Sequence, residues 1–395
     1  MKKVFCLVLV LIMTLSLFAG CGAKEEPKTP ATEAPGAVVT EAPATAAPAK
    51  ADGTIYILGP TPDHGWTAQA GAYAEKKAAD ITAQGQYKGV YVPASSGEEQ
   101  VDHVQTIIAN GDAVGVVFFA LEDSAKAGQE ALVAEGIPFI SFDRIIEGPD
   151  KYAILNASGD NWQCGAGIAY WLQQKGMEPG DTMVTLIGDN GTVCSRRQEG
   201  FEQFLRGEIE YYDDHTKTSY TTASVWEQAD IDALCADYKV VCNWSADGAY
   251  DYLEQKLADI VKAAKAGTGE LFIFSQDDEM TFGMLNLLEG NALDDATKAD
   301  LENLNVYISA IGGMQELYDV MSGSSAQAPI AAKYFDDMMS VYFSPKMMTN
   351  VIGYMEDYLA GNWDYEVGAG KYEVVWIVDQ NNVSEYEGFT GHAAE

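Results

Sequence analysis

Five short runs in this chain concentrate side chains able to grip a small polar molecule. The first two are Pro60-Thr61-Pro62-Asp63-His64-Gly65-Trp66 and Ser141-Phe142-Asp143-Arg144. The third runs from Gly188-Asp189-Asn190-Gly191 into Ser195-Arg196-Arg197-Gln198-Glu199-Gly200-Phe201. The last two are Asn243-Trp244-Ser245 and Ser275-Gln276-Asp277-Asp278-Glu279-Met280. Hydroxyl-bearing solutes need this mixture. Each hydroxyl donates and accepts, so fixed carboxylates, amides and guanidinium groups satisfy it through charge-assisted hydrogen bonds. The apolar C–H faces of such solutes stack on aromatic rings, and small-molecule pockets join flat apolar walls to a few polar anchors. The sequence has no nucleophile–base pair, no HExxH and no CxxC. Binding rather than catalysis is therefore expected, with no metal and no cofactor.

Several of these residues have a plainer reading. Asp143-Arg144 alone can be an ion pair at a strand end. Asp63 can equally cap the helix that follows, and His64 can contact a solute or close the same turn. Trp244 can be a core residue. Arg196 and Arg197 point about 100° apart on a helix, so only one of them can face a given cleft. Trp162 and Trp171 are expected to pack in the core along one helix.

The elements that would position these runs alternate. Residues 54–58, 87–92, 114–120 and 139–142 read as strands, and 65–81, 98–109 and 124–135 as helices. The unbroken apolar run 114–120 is the kind buried on both faces of a parallel sheet. A second round follows, with helices at 161–174 and 196–205 and strands at 183–187, 238–242, 271–274 and 307–310. This rhythm predicts an α/β fold of two doubly wound parallel sheets, one per lobe, with a cleft between. Ligands of open α/β sheets lie beyond the carboxyl ends of the strands. Each of the five runs follows an expected strand.

On these residues the chain resembles the type I periplasmic sugar-binding proteins, the ribose- and galactose-binding group that shares its fold with repressors of the lactose type. Phe139-Ile140-Ser141-Phe142-Asp143-Arg144 is similar to the family's strand ending in Asp-Arg. Phe274-Ser275-Gln276-Asp277-Asp278-Glu279-Met280, followed by Gly283 and an amphipathic helix, is similar as well. Gly159-Asp160-Asn161 resembles the first crossover between lobes, and Ser340-Val341-Tyr342-Phe343-Ser344-Pro345 the second. Gly361, then 374–378 and Asn382-Val383, resembles the third crossover and the closing strand. The likeness covers residues 53–389, and no helix-turn-helix precedes it, which sets the repressor branch aside.

The resemblance implies a site. Asp143 and Arg144 would bind hydroxyls from the first lobe, and Arg197, with Arg196 as the alternative, from the second. Asp277 falls where the family places an amide or acid on the ligand. Trp244 and Trp66 would be stacking plates, and Asn161 and Tyr342 would contact the ligand from the crossovers. Asp63 and His64 complete the expected ligand set. It also implies a lobe of 53–157 plus 343–363, a lobe of 158–342 plus 364–391, and a hinge near 157–160, 342–345 and 363–372. The implied role is capture of a monosaccharide, by a monomer, for an ABC permease. A polyol or nucleoside ligand, and signalling to a membrane receptor or kinase, are the competing expectations. Two departures stand out. Family members commonly carry an acid at the position of Gly312, and the connection 207–236 is longer than usual.

The N-terminus and composition bound the rest. Lys2-Lys3, an apolar run and Phe18-Ala19-Gly20-Cys21 read as an export signal over 1–21. Its end resembles the bacterial lipobox, which implies lipidation of Cys21 and a membrane anchor, with Phe18 where the pattern prefers Leu. Residues 22–52 are rich in Ala, Pro, Thr, Glu and Lys and are expected to form a disordered tether. A formal charge of −35 speaks against nucleic-acid partners. Cys164, Cys194, Cys235 and Cys242 show no spacing that would pair them.

Overall fold

The computed structural model describes residues 52–61 and 65–390. The expected signal, the tether up to residue 51, Cys21, Asp63 and His64 lie outside them. The first half runs β1 (Thr54–Pro60), α1 (Gly65–Gln84), β2 (Lys88–Ala94), α2 (Gly97–Asn110), β3 (Ala113–Phe119), α3 (Lys126–Glu135), β4 (Phe139–Phe142) and β5 (Leu155–Gly159). Then come α4 (Asn161–Gln174), β6 (Thr182–Ile187), α5 (Thr192–Leu205), β7 (Tyr211–Asp213), β8 (Thr218–Tyr220), α6 (Gln228–Ala236) and β9 (Tyr238–Val241). After them follow α7 (Ala246–Ala266), β10 (Glu270–Ser275), α8 (Asp278–Glu289), α9 (Asp295–Leu301), β11 (Asn305–Gly312), α10 (Gln315–Ser322) and α11 (Ala328–Tyr334). The chain closes with β12 (Asp337–Tyr342), α12 (Met347–Leu359), β13 (Gly370–Glu373) and β14 (Trp376–Asp379).

These strands form two six-stranded sheets, ordered β13-β5-β4-β3-β1-β2 and β14-β12-β11-β10-β6-β9. All pairings within them are parallel except β12 with β14. The expected pair of doubly wound sheets is thus what the chain builds. Strand β3 is buried from Gly115 onward because helices cover both faces of its sheet. Helix α1 offers Ala70, Ala74, Ala78 and Ile81 on one stripe, and their small side chains let it lie close against Ile55, Ile57 and Val117. Capping sets the helix ends near the cleft. Ser96 accepts from Glu99 N at the start of α2, Asp160 from Gln163 N at α4, and Asp277 from Glu279 N at α8.

The chain crosses between the sheets after β5, after β12, and between β13 and β14. The last crossing differs from the sequence expectation. The resemblance places residues 364–373 in the second lobe, but Gly370–Glu373 pairs in parallel with 156–159 of β5 in the first sheet. The run 374–378, expected to hold the third crossover and the closing strand, divides into a short connection and the start of β14. Val374 is exposed, Val375 is buried, and only from Trp376 does the chain join the second sheet. The polar sequence of β13, with Lys371 at a sheet edge, hides it from a hydrophobicity reading. The long connection after α5 folds into the β7–β8 hairpin and α6. Tyr211 is fully buried there, and Tyr170 of α4 stacks on Tyr220 at 4.4 Å. The segment therefore shields the outer side of α4. Trp171 is core as expected, whereas Trp162 stays half-buried, donates to Glu199 and meets Tyr372 edge-on. All four described cysteines are free.

Candidate functional site

A cavity of about 400 Å³ lies where the carboxyl ends of the two sheets face each other. That size falls within the usual range for small-molecule pockets, about 300–1,000 Å³. Residues following β1, β2, β3 and β4 line one side, and residues following β6, β9, β10, β11 and β12 line the other. Four described non-glycine residues have left-handed backbones, and three of them, Asp143 (φ 60), Asn243 (φ 53) and Trp244 (φ 58), line this cavity. Strained conformations of this kind persist where the surroundings enforce them, and they concentrate at functional sites.

The first lobe supplies an aromatic wall. Trp66 stacks on Phe142 at 6.3 Å and meets Phe119 edge-on at 5.8 Å. Its indole N–H donates to the carbonyl of Phe343 at 2.6 Å, which fixes the ring against the second crossover. Beside this wall, Asp143 presents its carboxylate. Burial pushes its pKa up, while Arg197 and Arg144 pull it back down.

The second lobe supplies Arg197, which is buried. Its Nε donates to Asn161 Oδ1 at 2.9 Å, and its Nη1 to the carbonyl of Gln276. Its guanidinium lies 5.6 Å from the Trp244 ring centre and 5.2 Å from that of Phe343, within cation–π range. Asp277 closes the far side. Burial, and then the neighbouring Asp278, push its pKa up to about 8. Asp278 points away, accepting from Gly313 N, Met314 N and Ser340 Oγ at 2.6, 2.8 and 2.7 Å.

Trp66, Asp143, Arg144, Arg197, Trp244 and Asp277 therefore come together around one cavity. Arg196, the alternative, is turned out of the cavity and stacks over Trp162 at 4.7 Å, so the expected Arg197 is the inward arginine. Two expectations need correction. Asn161 does not line the cavity; it is buried, its amide donating to Ser158 Oγ while its oxygen holds Arg197. Tyr342 also lies off the cavity, stacked on Trp376 at 4.2 Å. Alternation along the extended chain sends Phe343 inward in its place.

The departure at Gly312 has a physical cause. A Cβ there would stand 2.8 Å from Asp278 Oδ2, and the backbone at φ +157 disfavours one. The carboxylate of Asp278 occupies the space a side chain at 312 would need. Phe119, Asn243 and Phe343 also line the cavity, although the sequence assigns none of them an individual ligand role. Phe119 is the last residue of an apolar strand, and nothing in that run marks it as turning toward solvent. Asn243 carried a signal, because asparagine is enriched in left-handed turns. Among the described residues no group of three or more His, Cys, Asp or Glu could hold a metal ion.

Two parallel α/β lobes, three crossings and a lined cleft between them define a two-lobed α/β protein with room for a small molecule at its centre. Residues 55–334 match the sequence profile of the periplasmic binding protein domain, and the chain belongs to that family. The fold is that of solved type I binding proteins. One is the arabinose ABC transporter component from Shewanella sp. ANA-3, bound to L-arabinofuranose. It is 17% identical, with 84% of this chain and 93% of that one covered and a TM-score of 0.57. A galactofuranose-binding protein aligns at 15% identity over 84% and 96%, with a TM-score of 0.61. The Caulobacter myo-inositol-binding protein aligns at 16% over 87% and 98%, with a TM-score of 0.59. No curated protein matches the sequence.

Proposed function

We propose that this protein captures a polyhydroxylated solute, a monosaccharide in first place, and presents it to an ABC importer, tethered to the membrane through a lipid on Cys21. The observation that carries the reading is the arrangement of Asp143, Arg197 and Asp277 around one cavity with indole and phenyl walls. Among the described residues the Asp143 carboxylate has no hydrogen-bond donor, so a solute hydroxyl is a fitting partner. Asp277 uses Oδ1 on Glu279 N and keeps acceptor capacity for a ligand. Arg197 has five N–H donors, and its two described bonds leave others to give. Furanoses and a cyclic polyol in the structural relatives point to the same chemistry. Among the described residues no helix is long and apolar enough to cross a membrane.

A thermal-shift screen against aldoses, ketoses, polyols and nucleosides tests the solute class. A ligand at a hundredfold excess over its Kd adds about 2.7 kcal/mol of stability and raises the Tm. A shift from sugars or polyols supports the reading, and a shift from nucleosides alone, or from nothing in the panel, defeats it.

A further inference from the structure

We propose that Asp189, which does not line the cavity, is a positioning residue: its one carboxylate ties Arg144 of the first lobe to Trp244 of the second, so that closure and orientation of the stacking ring are set together. This deepens the reading above and rests on it. The carboxylate sits in the loop after β6. Oδ1 accepts from Gly191 N at 2.7 Å, which anchors the side chain to its own loop. Oδ2 accepts from Arg144 Nη2 at 2.6 Å and from Trp244 Nε1 at 3.2 Å. Arg144 follows β4 of the first sheet and Trp244 follows β9 of the second, so one oxygen joins the two sides of the cleft.

The rest of the contact fits this role. Arg144 is buried, and its other ion-pair partner, Asp123 at 3.6 Å, lies on its own lobe and is more exposed than Asp189. Its guanidinium lies against the backbone of Gly191, where an added Cβ would come within 1.8 Å of Nη1. The second lobe thus meets Arg144 with bare backbone as well as with a carboxylate. Trp244 needs a fixing point because its left-handed backbone and its predecessor's do not by themselves choose a ring position. Burial works against ionisation of Asp189, yet the charge and hydrogen bond of Arg144 outweigh it and hold the pKa below the ordinary range. Arg144 lines the cavity and at the same time gives its Nη2 to the opposite lobe.

The test has two arms. In the first, interlobe distance distributions are measured on ligand-free protein carrying one spin label per lobe. Wild type, Asp189→Asn, Asp189→Ala and Arg144→Ala are compared after thermal unfolding shows each to be folded. The expected result is a shift toward longer distances in all three variants. Identical distributions would overturn the proposal, and this arm needs no solute. In the second arm, the best binder from the wild-type screen is titrated by calorimetry. Asp189→Ala should weaken binding by roughly 10-fold, and Asp189→Asn, which keeps an acceptor for Trp244, by less. Combined with Arg144→Ala, the loss should fall short of the product of the single losses. Multiplicative losses, or an Asp189→Ala variant that binds within twofold of wild type, would refute the link. A panel with no binder would instead count against the solute reading, leaving the distance arm to decide on Asp189.

Discussion

Arg197 is held at Nε by Asn161 and at Nη1 by a main-chain carbonyl, so its guanidinium enters the cavity with little freedom left to lose. Hydrogen bonds to charged groups contribute roughly 1.5–3 kcal/mol. Arg197→Ala should therefore weaken solute binding by roughly 10- to 100-fold. Asn161→Ala should weaken it too, by less, although Asn161 touches no part of the cavity. Calorimetric titration with circular dichroism as the folding control separates these outcomes from unfolding. Asp277 gives a different readout. Its carboxyl, raised to about 8 by burial and by Asp278, holds a proton more tightly folded than unfolded. That preference stabilises the fold at low pH, fades as pH rises from the ordinary Asp value near about 4, and is gone above 8. Asp277→Asn keeps the helix cap and removes the titration. Chemical denaturation should then show a flatter loss of stability with rising pH and a variant more stable than wild type at pH 9. An unchanged profile would mean the burial of Asp277 does not tune its proton. At this scale the sequence located cavity-lining residues where a charged residue came within two positions of a strand end, as at Asp143 and Asp277, and at Arg197 on the helix after β6. It misled at Tyr342 and Asn161, because which way a side chain points depends on the register of a crossing strand and on which neighbour claims its hydrogen bonds.

Helices α4 and α5 carry the two halves of the Arg197 anchor, and their separation is fixed by glycine. A Cβ on Gly165 of α4 would stand 1.9 Å from the carbonyl oxygen of Arg197 on α5. No rotamer change relieves a clash with main chain. Gly165→Ala should cost roughly 1–3 kcal/mol or more in thermal unfolding and push Arg197 off its register, lowering affinity as well. Normal stability together with normal binding would show that the two helices can separate without consequence. The strands themselves were legible because buried parallel strands are continuous apolar runs, as in β3. Strand β13 was not, since an edge strand carrying lysine has no such run, and the error moved a lobe boundary by about ten residues.

Over the whole molecule, each lobe is assembled from separated stretches of sequence. The first sheet receives β13 only after the second lobe is nearly complete, and the second sheet closes with β14. The proposed lipid tether belongs to this scale. Cys21→Ser should leave the protein unprocessed or release it from the membrane fraction, while its solute affinity stays at the wild-type value. Fractionation and immunoblotting read the first effect, titration the second. A variant that matures and partitions with membranes as before would refute the lipobox reading.

Two indoles, one per lobe, face the same cavity, and each has its N–H committed to a defined acceptor: Trp66 to the Phe343 carbonyl and Trp244 to Asp189. An indole's emission depends on the polarity around its ring and on the state of that N–H. A solute entering the cavity would change the surroundings of both rings. The protein should therefore report its own occupancy by a shift in intrinsic fluorescence, with no dye attached. Trp66→Phe and Trp244→Phe would divide the signal between the lobes, and stopped-flow traces would time entry against closure. If neither variant changes the response to solute, the emission comes from tryptophans elsewhere in the chain.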